Sequence, residues 1–446
     1  MGQTLDRIDA LDDHYSAFTH IDHDGAMEAA RGILPRDPRP FAGVPIAIKD
    51  LTPVKGMPLA FGSNFGYGFE PPAEGFTVGK LREAGFIIVG KTATPEFGIQ
   101  PVTESVAFGP TRNPWDRHRT PGGSSGGAAA AVAGGLLPIA HGSDGGGSIR
   151  TPAACCNLVG LKPSRGRISS GPFAGDAFLG TEGVISRTVE DSAALLDVLA
   201  GYEAGDANWA EDPDISFTEA ARRPPPRMRI GVTLAPIWEA ELEPLGHAAV
   251  VECAELLASH DHKVEEIREA PWQGTDNAFE LFSALWAPMV AQGVATAARA
   301  IGRDPGEDEL EPLTWELVRR GEKLSARRYL QALGEVQLYA RGIVAALYGY
   351  DAILTPALAQ RPPRIGSLQR SDPWESFVEG GRFNPYTPLW NVTGQPAITL
   401  PMFEGSDGLP LAVQLAGPPR GDALLLSLAA QLENSAPWAE RRPPLP

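Results

Sequence analysis

Ser124 and Ser148 lie 24 residues apart in a glycine-rich stretch, within Thr120-Pro-Gly-Gly-Ser-Ser-Gly-Gly127 and Ser143-Asp-Gly-Gly-Gly-Ser-Ile-Arg150. Upstream, Lys49 closes the apolar run Gly43-Val-Pro-Ile-Ala-Ile-Lys-Asp50. A serine hydroxyl is a weak nucleophile at neutral pH and needs a base within hydrogen-bond reach. Lysine can be that base only when neutral, against an unperturbed pKa of about 10.4. Burial disfavours the ammonium form and lowers that value. Val44, Ile46 and Ile48 suit a strand that carries Lys49 into such a position; the plain alternative is a strand ending in an exposed Lys-Asp pair. Gly145, Gly146 and Gly147 free the backbone before Ser148 to turn successive N–H groups into one concavity, an oxyanion hole for acyl transfer. A flexible surface turn is the competing reading. It is weakened by Ile149-Arg-Thr-Pro-Ala-Ala-Cys-Cys156, which reads as a buried helix. Ser124 or Ser125 could cap the small-residue helix that follows, a role compatible with catalysis.

The elements that must hold these residues alternate between strand and helix. A helix over 76–84 and a strand over 86–90 follow the Lys49 strand, and residues 136–140 suit a buried strand leading towards Ser148. A helix over 191–199 precedes a polar surface connection, 203–227. Residues 228–267 then give a β–α–β unit. Residues 276–348 are mostly helical by apolar spacing, and 351–354 and 397–400 return as late strands of the same sheet. Such alternation indicates an α/β fold with a large mixed, mostly parallel twisted sheet and helices on both faces. One domain over 1–446 is expected, with a catalytic core of about 40–200 and a divergent substrate-covering region of about 270–390.

Composition narrows the partners. The net charge of −17 argues against nucleic acid as a direct substrate and favours a soluble cytoplasmic protein. No apolar run reaches bilayer length, and the amino terminus lacks the basic-then-apolar pattern of a secretory signal. Three cysteines cannot pair completely, so buried free thiols in a reducing compartment are expected. His260-Asp-His262 is a close histidine pair without an evident third ligand and reads as a solvated edge. No metal or cofactor is expected.

Other motifs compete poorly. Gly122-Gly-Ser-Ser-Gly126 fits the G-x-S-x-G elbow of α/β-hydrolase esterases, but Asn113-Pro-Trp-Asp-Arg-His-Arg-Thr-Pro121 cannot be the strand that elbow needs. Gly85-Phe-Ile-Ile-Val-Gly-Lys-Thr92 matches a phosphate loop letter for letter, yet its four central residues are themselves a strand.

The segments around Lys49, Ser124 and Ser148 resemble the amidase signature family. Gly90-Lys-Thr-Ala-Thr-Pro-Glu-Phe97, Thr111-Arg-Asn-Pro-Trp115, Gly160-Leu-Lys-Pro-Ser-Arg-Gly-Arg167 and Asn391-Val-Thr-Gly-Gln-Pro-Ala397 extend the likeness over about residues 40–435. Thr111–Trp115 as quoted, Ala140-His-Gly-Ser-Asp144, Arg165-Gly-Arg-Ile-Ser169 and Pro437-Trp-Ala-Glu-Arg-Arg-Pro443 are similar to the 6-aminohexanoate cyclic dimer hydrolase branch.

The resemblance implies that Ser148 is the acyl-forming nucleophile, that Ser124, following a cis peptide, relays its proton, and that Lys49 draws the proton away. It implies an oxyanion hole from the N–H groups of Gly145, Gly146, Gly147 and Ser148. Asp144, Arg150 and Ser125 are then loop supports. Two departures stand out: Gly145 replaces a side chain that relatives often carry, and the amino terminus lacks a helix that most relatives have. Aromatic residues in segments that cover the family's cleft, Trp286, Trp374, Phe377, Tyr386 and Trp390, are candidates for binding an apolar or aromatic acyl group; helical aromatics are otherwise core. Trp374 and Phe377 fall in an irregular Pro-rich segment, 361–390.

The expected function is therefore a cofactor-independent amidase acting on a small-molecule amide, with neither nucleic acid nor membrane as partner and a homodimer left open. A glutaminase subunit of glutamyl-tRNA amidotransferase type, an acyl-transferring biosynthetic amidase and a non-catalytic relative are the alternatives.

Overall fold

The computed structural model describes residues 1–175, 178–275 and 277–444. Chain order begins with α1 (Gly2–Tyr15), β1 (Phe18–Ile21), α2 (His23–Arg31), β2 (Pro45–Lys49), α3 (Phe76–Glu83) and β3 (Ile87–Thr92). The three strands form a small sheet in the order β1-β3-β2, with β2 parallel to β3. A two-stranded ribbon, β4 (Glu104–Ser105) and β5 (Gly109–Pro110), precedes α4 (Gly126–Ala133). Every residue of α4 is buried. A helix that is apolar all round can only be interior, and its alanines let neighbours approach closely.

The large sheet comprises β6 (Ala140–Asp144), β7 (Val159–Lys162), β8 (Thr181–Ser186), β9 (Arg229–Val232), β10 (Lys263–Glu266), β11 (Ala352–Pro356), β12 (Ala397–Glu404) and β13 (Pro410–Ala416). Its order is β10-β9-β11-β13-β12-β7-β8-β6. The helices around it include α5 (Arg150–Cys155), α6 (Val189–Leu199), α7 (Phe217–Arg222), α8 (Pro244–Ser259), α9 (Ala278–Ile301), α10 (Pro312–Lys323), α11 (Ala326–Ala346), α12 (Pro373–Phe383), α13 (Pro388–Thr393) and α14 (Asp422–Ser435). The α/β class and the mixed sheet agree with expectation.

Its pairing does not. Only β10 with β9 and β9 with β11 are parallel, and the remaining neighbours are antiparallel. Parallel pairing needs a crossover, which α8 supplies between β9 and β10; β12 and β13 are joined by a short turn that can only reverse the chain. Alternating helix and strand in sequence does not reveal which strands become neighbours.

Four other expectations change. The strand predicted over 136–140 begins only at Ala140, because Pro138 has no N–H for a ladder. Segment 361–390 is irregular only in part, for helices occupy 373–383 and 388–393: Asp372 caps α12 by accepting from Trp374 N–H at 2.8 Å, and Pro373 takes the first helical position. His262 is buried rather than solvated, held by Met228 N–H at 3.1 Å and Gln431 at 2.7 Å. Finally, α9, at 24 residues, is long and apolar enough to cross a bilayer, although no such stretch was expected. Its apolar residues pack instead against α10, α11 and α12, where Leu281, Leu285, Val294, Leu317 and Val336 share one cluster. Residue 276, which opens the expected helical stretch, lies outside the described residues. Cys155, Cys156 and Cys253 are free and buried, and Lys91 of the phosphate-loop lookalike is a buried strand residue paired with Asp50 at 3.2 Å.

Candidate active site

Lys49 ends β2 behind the buried Ile46, Ala47 and Ile48, and its own side chain is fully buried. The exposed alternative is therefore excluded. Its Nζ lies 2.7 Å from Ser124 Oγ, 3.1 Å from Ser143 Oγ and 3.3 Å from the Ser143 carbonyl. Burial lowers the Lys49 pKa from 10.5 to about 7, against the opposing pull of the Glu182 and Asp144 carboxylates. An amine poised there is substantially neutral near pH 7.

Ser124 is buried, and the Gly123–Ser124 peptide bond is cis. Ser125 occupies the N-cap position of α4, but its side chain does not cap the helix. It joins two loops instead: Oγ lies 3.3 Å from both Ser143 N and Ser143 O, and its N–H donates to Ser148 O at 3.1 Å. Ser148 is half-buried and opens into a narrow cleft beside Gly123 and Gly146.

The loop before Ser148 hangs on a buried charge pair. Arg150 Nε donates to Asp144 Oδ2 at 3.0 Å and Arg150 Nη2 to Asp144 Oδ1 at 2.9 Å. The guanidinium also reaches Thr387 O, Gln414 Oε1 and Asn391 Oδ1, so its donors are well used. Burial alone would raise the Asp144 carboxyl, but Arg150 and Asn391 outweigh it and hold the group below the ordinary carboxylate range.

Asp144 in turn accepts from Gly147 N–H at 2.7 Å and Ile149 N–H at 3.2 Å. That corrects one expectation. Gly147 N–H already has an acceptor, so the expected oxyanion donors that remain are Gly145, Gly146 and Ser148. Gly147 has another necessity: its φ is +123°, and a Cβ there would fall 1.9 Å from Thr387 Oγ1.

Gly145 and Gly146 meet the aromatic wall. A Cβ on Gly145 would sit 3.2 Å from Trp286 Cζ3, and one on Gly146 would sit 3.3 Å from Phe282 Cζ. The side chain missing at 145 is thus replaced by an indole, which stacks on Phe282 with centroids 5.3 Å apart. Trp286, Phe282, Phe279, Trp238 and Phe377 line the cleft.

Of the other predicted binding aromatics, Trp374 stands one ring back, packed on Phe279 and Phe377 under Arg320. Tyr386 and Trp390 are core residues. Tyr386 Oη donates to Leu234 O at 2.9 Å, and Trp390, fully buried, packs on Trp272. Both lie on the side of α13 or its approach that faces the large sheet, which aromatic identity alone could not reveal. A larger cavity of about 810 Å³ among Glu96, Glu307, Glu309 and Glu311 contains none of Lys49, Ser124 and Ser148, so the narrow cleft remains the candidate.

Several contributors had escaped notice. Ser143 and Asn391 stood inside quoted motifs without a role, and position in those motifs was the available signal. Asn391 Nδ2 donates to Asp144 O at 3.0 Å and Asp144 Oδ1 at 2.8 Å. Asn384 and Thr387 both donate to Gly146 O, at 2.9 and 2.6 Å. Trp238, anchored to Gly381 O at 2.7 Å, had no local signal.

Comparison with known proteins shows the family. The Amidase family model matches residues 2–426. A 6-aminohexanoate-cyclic-dimer hydrolase of Paenarthrobacter ureafaciens is 38% identical over 424 residues, covering 91% of this chain and 85% of that protein. A solved 6-aminohexanoate cyclic dimer hydrolase complexed with substrate superposes with a TM-score of 0.94 at 34% identity, covering 100% and 94% of the two chains. A bacterial aryl acylamidase of the amidase signature family gives 0.87 at 26% identity, with 98% and 93% covered. The chain is an amide hydrolase and belongs to the amidase signature family.

Proposed function

We propose that Ser148 attacks the carbonyl carbon of an apolar small-molecule amide while Ser124 and Lys49 carry its proton. The observation that bears most weight is the 2.7 Å contact between Lys49 Nζ and Ser124 Oγ, made by an amine wholly removed from water. A neutral amine can donate to the two Ser143 oxygens and accept from Ser124 with its lone pair. Ser148 Oγ then gives its proton to Ser124 Oγ as the C–O bond forms, and Ser124 passes its own proton to Lys49. The carbonyl oxygen takes the negative charge and is held by the N–H groups of Gly145, Gly146 and Ser148. As the tetrahedral species collapses, the C–N bond breaks and the proton returns through Ser124 to the leaving nitrogen. Water repeats the sequence on the acyl-enzyme and releases the acid.

The cleft favours thin, apolar acyl chains. Its wall of Trp238, Phe279, Phe282, Trp286 and Phe377 carries no ionised side chain, and Trp286 presses directly on the Gly145 loop. Unbranched polymethylene amides suit such a slot, and the similarity to cyclic dimer hydrolases makes lactam-type oligoamides the first class to try. The test is hydrolysis of 6-aminohexanoate cyclic dimer, aliphatic and aromatic anilides, glutamine and short polar amides. Turnover of the polymethylene set, lost in Ser148→Ala, is expected. Preference for glutamine or short polar amides would reject the substrate class, and undiminished turnover by Ser148→Ala would reject the mechanism.

A further inference from the structure

His141 and Glu182 stand behind Lys49 and play no part in the proton path above. His141 is fully buried on β6, at the seam where the small sheet meets the large one. No ladder of backbone hydrogen bonds joins β2 to β6, since they belong to different sheets. The Lys49 N–H donates instead to His141 Nδ1 at 3.3 Å. Nδ1 must then bear the lone pair, which places the proton of the neutral ring on Nε2. That nitrogen faces Glu182 Oε2 at 2.5 Å. Register explains the gathering: Ser143 lies opposite Glu182 and His141 opposite Val184, so His141, Ser143 and Glu182 project from one face of the β6–β8 pair. Ser143 and His141 touch the lysine directly, and Glu182 is joined to it through His141.

We propose that His141 and Glu182 are positioning residues for Lys49: His141 fixes the strand end from which the amine projects, and Glu182, oriented by His141, supplies the uncompensated negative charge that the amine feels. The other carboxylates near Lys49 each have a cationic partner, although that of Asp144 still pulls on the amine. Asp144 is bound to Arg150 at 2.9 Å, and Asp50, next in the chain, to Lys91 at 3.2 Å. Among the described residues, the Glu182 carboxylate has only the His141 imidazole as its side-chain partner. Its carboxylate is also the foremost influence opposing the effect of burial on Lys49. A purely architectural His–Glu pair would explain the buried ring but gives no reason for its second nitrogen to hold the backbone of this lysine.

The inference rests on the proposed role of Lys49 as base, and its test separates the two. Glu182→Gln keeps an acceptor for His141 Nε2–H and removes the charge. The acid limb of the kcat/KM–pH profile, measured on the best amide of the panel, should move down by roughly half to one pH unit. Glu182→Ser, where water can enter a position that is partly exposed, should move it the same way should the glutamine variant fold poorly. His141→Asn places Oδ1 near the site of Nδ1 and should retain at least tenfold more kcat than His141→Leu. An acid limb that stays in place or moves up in both Glu182 variants overturns the proposal, as does equal loss in the two His141 variants. Lys49→Ala is the control: if it keeps its activity, the base assignment itself fails, whatever Glu182 does.

Discussion

Replacing Gly145 with threonine should damage this enzyme through Trp286. A Cβ at position 145 would meet Trp286 Cζ3 at 3.2 Å and Cη2 at 3.3 Å, inside the roughly 3.5–4.0 Å of an ordinary carbon contact. Threonine then adds a methyl and a hydroxyl beyond that Cβ. The indole has little room to retreat, because it is stacked on Phe282, whose own ring lies over Gly146. Overpacking of this sort costs about 1–3 kcal/mol. If that strain is carried into the transition state, kcat/KM falls by about 5- to 150-fold.

Initial rates on the amide panel would read the loss, with thermal melting to show that the fold survives. Removing the obstacle should restore function, so Gly145→Thr combined with Trp286→Ala should exceed Gly145→Thr alone. Wild-type kcat/KM in the threonine variant would refute the reasoning. So would a double variant whose losses simply add, since contact requires coupling.

Three further predictions concern buried charge. Arg150→Met leaves the Asp144 carboxylate without its main partner and should lower stability by about 3–5 kcal/mol in urea denaturation; a loss below 1 kcal/mol would contradict the reading of the pair. Because the Asp144 carboxyl is held below its ordinary value of 3.8, its contribution is complete above that pH and is lost as the pH falls further, so Asp144→Asn should flatten the acid side of the stability profile. Lys162 is buried with its Nζ on Pro163 O at 2.7 Å, and burial takes its pKa from 10.5 to about 7. Between those values the unfolded chain binds the extra proton, so stability is lost as the pH falls from 10.5 towards 7. Lys162→Met should therefore raise the melting temperature at pH 7 and reduce its dependence on pH; a lower melting temperature with an unchanged slope would count against it.

Much of the site was legible because its chemistry restricts the residue types. A serine behind three glycines and a lysine after an apolar strand have few joint uses, and the structure puts Lys49 in contact with Ser124. What stayed hidden depends on contacts far apart in the chain. Asn391 meets Arg150 across 241 residues, and no periodicity signals such a partner. Strand pairing is non-local in the same way, so the sheet was read as more parallel than it is. Tyr386 and Trp390 were placed in the cleft because aromatic side chains serve core and ligand equally well. Asp372-Pro373 is a recognisable helix start for α12, but Pro362, Pro363 and Pro373 in the same segment favour an irregular reading. The indole that stands against Gly145 comes from Trp286, 141 residues away, and no local pattern signals it.

The central claim is that Lys49, neutral and acting through Ser124, activates Ser148. It is tested most directly by the rate of phosphonylation by a fluorophosphonate, followed from pH 5 to 9 with the adduct mapped by mass spectrometry. One adduct is expected, on Ser148, forming with an apparent pKa near the value of about 7 for Lys49. Labelling should be slowed by at least about a hundredfold in Lys49→Ala and in Ser124→Ala. An adduct on another residue, or a Lys49→Ala variant labelled at the wild-type rate, would contradict it.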